Sequence, residues 1–484
     1  MGNNLLTALL ALPFGGALLA FCLPSDRLRP WLLPLCGSLH LLLTFLVIQA
    51  GPLSVANGWL GVDPLGRLVL LIVSLLFCAC SFYALGYLRY RIAWGNRILV
   101  SCLLLFLSAI SLAAIARHLG ILWVAVETTT LASAPLIYYN RNRLSIEATW
   151  KYLLLGSVGI ALAMLGILFV AYAALAGSGH VDLQLDSLFQ GAAGYSRPWL
   201  RAGFVFLLVG FGTKVGFAPL HAWKPDAYGE APGLVGALLA GGLTSAAFLA
   251  LLRTLQIMDA GGEGLMAREA FLVMGLVSLA FAAVFVVRQP DFKRMLAYSS
   301  VEHMGILAIG VSIGGIASYG AMLHLMNNAL TKGVLFLAAG NIHRRFGSKR
   351  VDNVRGAITL LPFSATLFLL GFLAITGSPP FAPFISEFTI LQGIFGSRHY
   401  VTGGLFLFFL AVIFVGMGST VMSVIFGDPP ATPAKLADAN YRETFATTGA
   451  PLVLLIIILI LGIYLPEPLR RMAQDAAALL EVQS

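Results

Sequence analysis

Charged residues are scarce in this sequence. Only 11% of its 484 residues are Asp, Glu, Lys or Arg, whereas 59% are hydrophobic, and the mean hydropathy is +0.90. A soluble protein of this size cannot bury so much apolar surface, but a chain that crosses a membrane many times has no need to bury it. The composition therefore excludes a soluble protein and predicts an all-α, polytopic protein of the lipid bilayer.

The sequence argues against two kinds of site, a metal or cofactor site and a nucleic-acid interface. The five cysteines form no CxxC pair, so the sequence predicts no metal site and no other cofactor. The net charge of +9 comes from basic residues scattered between apolar runs, which argues against a nucleic-acid partner. No basic segment precedes the first apolar run, which we expect to be an uncleaved membrane span rather than a signal peptide.

Apolar runs long enough to cross a bilayer recur along the whole chain. A span needs about 20 residues, and on this basis we predict about fourteen membrane helices. They are placed at residues 5–23, 31–49, 65–87, 98–116, 119–139, 150–176, 199–220, 234–255, 270–287, 295–313, 319–342, 358–395, 401–426 and 451–465.

Basic residues are distributed unequally among the predicted loops. Loops after odd-numbered spans contain Arg27, Arg29, Arg89, Arg91, Arg97, Arg141, Arg143, Lys224, Arg288, Lys293, Arg294, Arg344, Arg345, Lys349, Arg350, Arg355, Lys435 and Arg442. Loops after even-numbered spans contain Arg117, Arg197, Arg201, Arg253, Arg268 and Arg398. This bias of about three to one predicts that the first set of loops is cytoplasmic and that both termini are extracytoplasmic.

Two predicted spans are interrupted by glycine and proline. The seventh is broken between Lys214 and Pro225, and the twelfth between Gly377 and Pro383. Irregular backbone at membrane depth is tolerated only where it lines an enclosed cavity, and paired interruptions indicate a transport site. The offset of five spans predicts two inverted five-helix repeats. The resulting units are three N-terminal helices (1–96), the two repeats (97–256 and 268–426), and a final helix with a short tail (449–484).

The presence of three titratable residues inside predicted spans requires an explanation, because each charge at the bilayer centre costs on the order of 2.5–3.5 kcal/mol. Glu127 is in the middle of span five, Lys214 is one turn before the first break, and Glu387 follows the second. Each has a structural alternative. Glu127 could bond to nearby threonines, Lys214 could extend to the interface, and Glu387 could satisfy the N-terminus of its half-helix.

Histidines supply further candidates. His324 and Lys332 are two helical turns apart in span eleven and should lie near one face. Glu302 and His303 are adjacent in span ten, so we expect their side chains to point in different directions. His221 follows the first break and could merely cap it. The sequence positions of four others suggest superficial residues, namely His40, His118, His180 and His399.

These groups suggest a path for protons. A carboxylate beside a buried lysine favours the charged ammonium, whereas burial disfavours it, so moving such a pair together or apart would load or release a proton. The interior of span eight offers only Thr244 and Ser245, whose hydroxyls we expect to hold the water that links the two halves. The predicted path consists of Glu127, Lys214, His221, His303, His324, Lys332 and Glu387.

The same residues stand in motifs that resemble a known superfamily. The motifs are Pro-Leu-His-Ala-Trp-Lys-Pro-Asp after Lys214, Tyr-Ser-Ser-Val-Glu-His-Met-Gly around His303, Leu-Thr-Lys-Gly-Val-Leu-Phe around Lys332, and Gly-Ser-Pro-Pro-Phe before Glu387. They are similar to the antiporter-like membrane subunits of respiratory complex I, membrane-bound hydrogenases and multi-subunit cation/proton antiporters. Val-Glu-Thr-Thr-Thr-Leu around Glu127 resembles hydrogenase-4 component F most.

The resemblance implies a proton-translocating subunit of a redox-driven complex in a bacterial inner membrane, of the group 4 hydrogenase or formate hydrogenlyase type. Its implied partners are other membrane subunits and a hydrophilic redox arm, which would carry the enzymatic chemistry. It also implies that Glu127 modulates Lys214 and that Glu387 faces the next half-channel. The alternatives are a subunit of a multi-subunit sodium/proton antiporter and a structural membrane subunit that moves no ions.

Overall fold

A computed structural model describes residues 2–89, 94–428 and 441–481. The first part contains α1 (Gly2–Cys22), α2 (Leu32–Gln49), α3 (Pro64–Arg89), α4 (Arg97–Ile115), α5 (Leu119–Ile137), α6 (Arg143–Ser178), α7 (Leu185–Gly191), α8 (Arg197–Val215), α9 (Lys224–Glu230), α10 (Gly233–Leu238) and α11 (Thr244–Ala260). The second contains α12 (Gly264–Val286), α13 (Phe292–Ile313), α14 (Gly315–Phe346), α15 (Ala357–Leu360), α16 (Pro362–Ile375), α17 (Ala382–Gly396), α18 (Tyr400–Phe426), α19 (Phe445–Ile463) and α20 (Glu467–Ala478).

Within these residues, 11 helical segments are long and apolar enough to cross a membrane. The chain is therefore a predominantly helical membrane protein, as its composition predicts. Three of the predicted spans are not among the 11, because they contain buried polar side chains or an interruption; they correspond to α8, α14 and the pair α16–α17. The total of about fourteen spans and the two inverted repeats stay predictions.

One short hairpin departs from the all-helical prediction. Strand β1 (Leu53–Val55) pairs antiparallel with β2 (Leu60–Val62) in the connection between α2 and α3. Asn57 and Gly58 turn the chain with φ angles of 55° and 88°, a conformation that Asn and Gly adopt at the lowest cost. Pairing satisfies backbone groups that an open loop would leave to solvent.

Both predicted breaks are present. Helix α8 ends at Gly216, whose φ of 77° stops the helix, and the chain resumes at α9 with Pro225 in its first turn. Helix α16 ends just before Gly377, whose φ is 66°, and α17 begins with Pro383 in its first turn. Glycine accepts this backbone conformation without a steric penalty, and proline at a helix start sacrifices no internal hydrogen bond.

The segment Gly233–Ala260 lies at the centre of the bundle, and its most apolar stretch is completely buried. It comprises α10, a π-helical turn at Leu239–Leu243, and α11, and it packs against α3, α8 and α14. On either side, α6 lies along α8 and α12 along α13. These pairs approach closely at glycines such as Gly210 and Gly275, where a Cβ would collide with the facing backbone.

Several residues that the sequence assigns to loops or to the surface are in fact buried, and those predictions are wrong. Arg253 is 1% exposed because its guanidinium pairs with both carboxylate oxygens of Asp63. Lys224 and Lys293 are fully buried. His40 is buried between three helices and hydrogen-bonded by both ring nitrogens, at 3.0 Å to Ser74 Oγ and 2.9 Å to Ser111 Oγ. Arg91 and Lys435 lie outside the described residues.

Candidate functional site

Glu127 on α5 and Lys214 on α8 meet inside the bundle, with Oε2 and Nζ 3.5 Å apart. Lys214 is fully buried, and its ammonium group donates to Thr130 Oγ1 and lies 5.7 Å from the centre of the Tyr152 ring. Gly156 on α6 makes room for it, since a Cβ there would stand 2.7 Å from Nζ. The threonine therefore bonds the lysine rather than the carboxylate, which favours the ion pair over the structural alternative for Glu127.

A second group of titratable side chains lies between α13, α14 and α17. His303 Nδ1 and His324 Nε2 are 2.9 Å apart, and His324 Nδ1 is 3.0 Å from Ser386 Oγ. Potential ligand atoms of His303, His324 and Glu387 all lie within 4.8 Å of one another. Such a donor set could hold a metal ion, but both ring nitrogens of His324 are already hydrogen-bonded. The absence of a metal stays a prediction.

Glu302 joins this group, and the expected divergence of Glu302 and His303 is wrong. Their side chains converge, with Glu302 Oε2 3.8 Å from His303 Nε2. Neighbours on a helix leave the backbone about 100° apart, but side chains of this length rotate into a common polar pocket when apolar neighbours fill the other directions. Sequence reasoning left Glu302 out of the path, although a carboxylate inside span ten was itself a signal.

Lys332 lies on the same helix as His324, about two turns further along. It is fully buried, and its Nζ is 3.4 Å from the carbonyl oxygen of Leu296 on α13. The charge of Lys332 is within electrostatic range of Glu302, which attracts it, and of His303 and His324. The structure thus places the four predicted residues of the second half on α13, α14 and α17, with Glu302 within electrostatic range of Lys332.

The region of the first break contains two further titratable groups. Lys224 Nζ donates to Ser300 Oγ on α13 at 3.1 Å. His221 is 7% exposed, and its Nδ1 makes no hydrogen bond within the part of the chain that is described. It packs edge-on against Phe281 and joins neither the Glu127–Lys214 pair nor the second group. Sequence reasoning missed Lys224, because a lysine next to proline is typical of a solvated loop.

Thr244 and Ser245 are buried at the start of α11. Their hydroxyls donate to the carbonyl oxygens of Ala240 and Gly241, each at 2.6 Å. The carbonyls belong to the π-helical turn, where the regular hydrogen-bond pattern is interrupted. Each hydroxyl proton is therefore committed to its own helix, and only the oxygen lone pairs can bind water. The linking role of these residues stays a prediction.

Several buried polar atoms of this region make no hydrogen bond to the described residues. Native proteins leave few such atoms unpaired, and internal water is their usual partner. The atoms therefore mark points at which water can bind along the interior. They are Glu127 Oε2, His221 Nδ1, Tyr228 Oη, Ser299 Oγ, Glu302 Oε2, His303 Nε2, Asn327 Oδ1, Asn328 Oδ1 and Glu387 Oε1.

Comparison with known sequences identifies the family of this chain. A family model described as "NADH:quinone oxidoreductase/Mrp antiporter, TM" matches residues 116–414. The chain is 30% identical to a hydrogenase-4 component F homolog of Methylacidiphilum infernorum, over 98% of this chain and 99% of that protein. It is also 30% identical to NADH-quinone oxidoreductase subunit N of Desulforudis audaxviator, over 71% of this chain and 70% of that protein.

Solved structures share the fold at lower identity. A chain of the archaeal membrane-bound sulfane sulfur reductase has a TM-score of 0.86 at 21% identity, with 98% of this chain and 97% of that chain covered. A chain of the Mrp complex from Dietzia has a TM-score of 0.85 at 19% identity, with 98% and 96% covered. The resemblance found in the sequence is confirmed: the chain belongs to the NADH:quinone oxidoreductase/Mrp antiporter transmembrane family, as an antiporter-like membrane subunit related to hydrogenase-4 component F and complex I subunits.

Proposed function

We propose that this chain translocates protons as a membrane subunit of a redox-driven complex of the group 4 hydrogenase or formate hydrogenlyase type. The observation that carries the proposal is a row of titratable side chains inside the bundle, all of them buried except the partly exposed Glu127. Placing such residues in a membrane costs free energy, and a subunit that only supports the structure would gain nothing in return. The row consists of the pair Glu127–Lys214, Lys332 with Glu302, and His303 and His324 beside Glu387.

The pair Glu127–Lys214 would act as the switch of the first half. Two unit charges attract each other by about 4 kcal/mol at 4 Å and an effective dielectric constant of 20, and by about half of that at 8 Å. Separating the two groups to about 8 Å would therefore lower the proton affinity of Lys214 more than tenfold. Because the starting separation is 3.5 Å, small helix movements are sufficient.

The second half would carry the proton onward through hydrogen bonds. In the His303–His324 contact one ring donates and the other accepts, so a proton that arrives at one ring can leave from the far nitrogen of the other. Ser386 and Glu387 then stand at the end of the row on α17. Lys332 has Glu302 within electrostatic range, so each half contains a lysine whose charge a carboxylate favours.

Other membrane subunits and a hydrophilic redox arm are the proposed partners, since relatives of this chain are subunits of multi-subunit membrane complexes. The rival function is that of a sodium/proton antiporter subunit, which the similarity to the Mrp complex favours. We expect the complex that is purified on this chain from native membranes to contain a redox-active subunit. In liposomes it should move protons when the electron donor is added, with or without sodium. Exchange of sodium for protons without a donor would favour the antiporter.

Both termini are proposed to be extracytoplasmic, and residues 344–355 cytoplasmic. The basic residues of that loop support the assignment, and Lys349 forms an ion pair with Glu230 at the same end of the bundle. An alkaline phosphatase fused after Ser484 is expected to be active, and one inserted at the exposed Asp352 to be inactive. Fluorescent-protein fusions at the same two positions should show the opposite pattern, because they mature in the cytoplasm. Reversed results would refute this topology.

A further inference from the structure

Lys224 occupies a position built to hold it. It is the first residue of α9, directly after the first break, and no part of it is exposed. Its side chain packs on Gly216, the residue that ends α8, and a Cβ on Gly216 would overlap Lys224 Cε. The glycine therefore provides both the backbone turn and the space for the lysine.

The second break is constructed in the same way. Gly377 has a φ of 66°, and a Cβ on it would overlap Glu387 Oε2. In each break, a glycine in the left-handed conformation makes room for a charged residue of the half-helix that follows. Glu387 is part of the proposed path, and Lys224 is its counterpart in the first break.

Lys224 contacts the second half of the molecule through α13. Its Nζ donates to Ser300 Oγ at 3.1 Å, and Lys332 Nζ is 3.4 Å from the carbonyl oxygen of Leu296. The two contact points are four residues apart on one helix, which corresponds to one turn, or about 6 Å along the axis. The two lysine charges are within electrostatic range of each other.

A row of aromatic rings connects Lys224 to the first half. Lys214 Nζ lies 5.7 Å from the Tyr152 ring centre, and Lys224 Nζ lies 5.9 Å from that of Tyr228. Between these two rings stands Trp223, with its ring centre 5.0 Å from Tyr152 and 5.8 Å from Tyr228. Aromatic faces attract ammonium groups, so both ends of the row can stabilise the protonated lysine.

The charges around Lys224 distinguish it from a structural lysine. Lys214 has Glu127 and Lys332 has Glu302, but no carboxylate pairs with Lys224 in the described parts of the chain. An unpaired buried ammonium costs several kcal/mol, and a charged Lys332 adds repulsion. A positive charge on either lysine therefore disfavours a positive charge on the other. Lys224 holds a proton less tightly when Lys332 is charged, and a group that carries a proton between two sites must be able to release it.

We propose that Lys224 carries the proton between Lys214 and Lys332, and so supplies the connection for which span eight offers only Thr244 and Ser245. The inference rests on the proposed function. Each transfer moves one proton from an ammonium group to a neutral amine through hydroxyls or water, with no other bond formed or broken. Tyr228 Oη, which is buried without a hydrogen-bond partner in the described residues, lies on the same side of α9 as a further water-binding point.

The test compares two replacements of Lys224 in the complete complex in vesicles. Lys224→Gln keeps a donor for Ser300 but cannot carry a proton, and we expect it to lower protons moved per electron about tenfold or more. Lys224→His keeps a titratable group and should retain several-fold more pumping than the glutamine variant. Equal pumping by the two variants would overturn the proposal, because a structural role predicts no difference between them.

Lys293 provides the matched control. It is as deeply buried, but its Nζ donates to the carbonyl oxygens of Gly229 and Ala231, at 3.0 and 2.5 Å. Lys293→Gln should pump normally per assembled complex, and a loss equal to that of Lys224→Gln would overturn the proposal. If Lys224→Gln pumps normally while Lys214→Ala does not, this inference alone fails. If both pump normally, the proposed function fails as well.

Discussion

Replacing Lys214 by alanine is expected to abolish proton translocation while the complex still assembles. The lysine is fully buried at the end of α8, 3.5 Å from the carboxylate of Glu127, and it is the first group whose proton that carboxylate controls. Truncation leaves Glu127 without its partner, but this carboxylate is 20% exposed and can be hydrated, so the complex should still assemble. Proton uptake by inside-out vesicles, driven by the electron donor and expressed per electron transferred, measures the effect.

The pair allows a graded comparison. Glu127→Gln should weaken pumping less than Lys214→Ala, because the lysine still titrates but has lost its tuning charge, and Glu127→Asp should weaken it least. Lys151→Ala is the control, since this lysine on α6 is 46% exposed and pairs with Glu147 and Asp226. Normal pumping by Lys214→Ala would remove this residue from the path. A harmless Glu127→Gln beside an inactive lysine variant would make Glu127 structural.

Lys332→Met should have the second large effect, a fall in protons moved per electron of about tenfold or more. The charge of Lys332 is within electrostatic range of Lys224, Glu302 and His324. Methionine fills a similar volume, so little packing is lost, but Glu302 is left without its nearby positive charge. A fully buried carboxylate without a compensating charge is costly for the fold. The amount of assembled complex is therefore expected to fall too.

A double variant separates the loss of stability from the loss of pumping. Lys332→Met combined with Glu302→Gln removes both charges, which is often close to neutral for stability. The double variant should therefore restore the amount of assembled complex, measured in purified membranes, but not proton movement. If it restored both, Lys332 would be needed only to balance Glu302, and the proton would have another route through the second half.

The broken helices were predictable because they depend on local chemistry. Glycine and proline interrupt an apolar run wherever it folds, so the breaks before Pro225 and Pro383 could be located within a few residues. The pairing of Glu127 with Lys214 was also within reach, because two opposite charges in neighbouring apolar spans have few other ways to offset their insertion cost. The total of about fourteen spans stays a prediction, because α14 contains so many polar side chains that its mean hydropathy does not identify it as a span.

Three residues were placed wrongly for a common reason. Lys224 and Lys293 stand near predicted span ends, where the sequence context indicates exposure, whereas His40 stands in the middle of the second predicted span and was assigned to its surface. Their burial is caused by distant partners: Ser111 for His40, Ser300 for Lys224, and the carbonyl oxygens of Gly229 and Ala231 for Lys293. None of these contacts has a local sequence signal. Similarly, the direction of Glu302 relative to His303 depends on which side chains of α14 and α17 fill the space around α13.

The sequence by itself determined the membrane class, the two interrupted helices and the type of residue available for moving protons, because insertion energy and backbone interruption depend on composition and local order. The tertiary structure decided which of these residues form one row. It alone brings Lys224 from the first break to α13, one helical turn from the contact point of Lys332. Whether a charge is solvated or buried depends on the helices packed around it, and that environment is assembled from segments far apart in the chain.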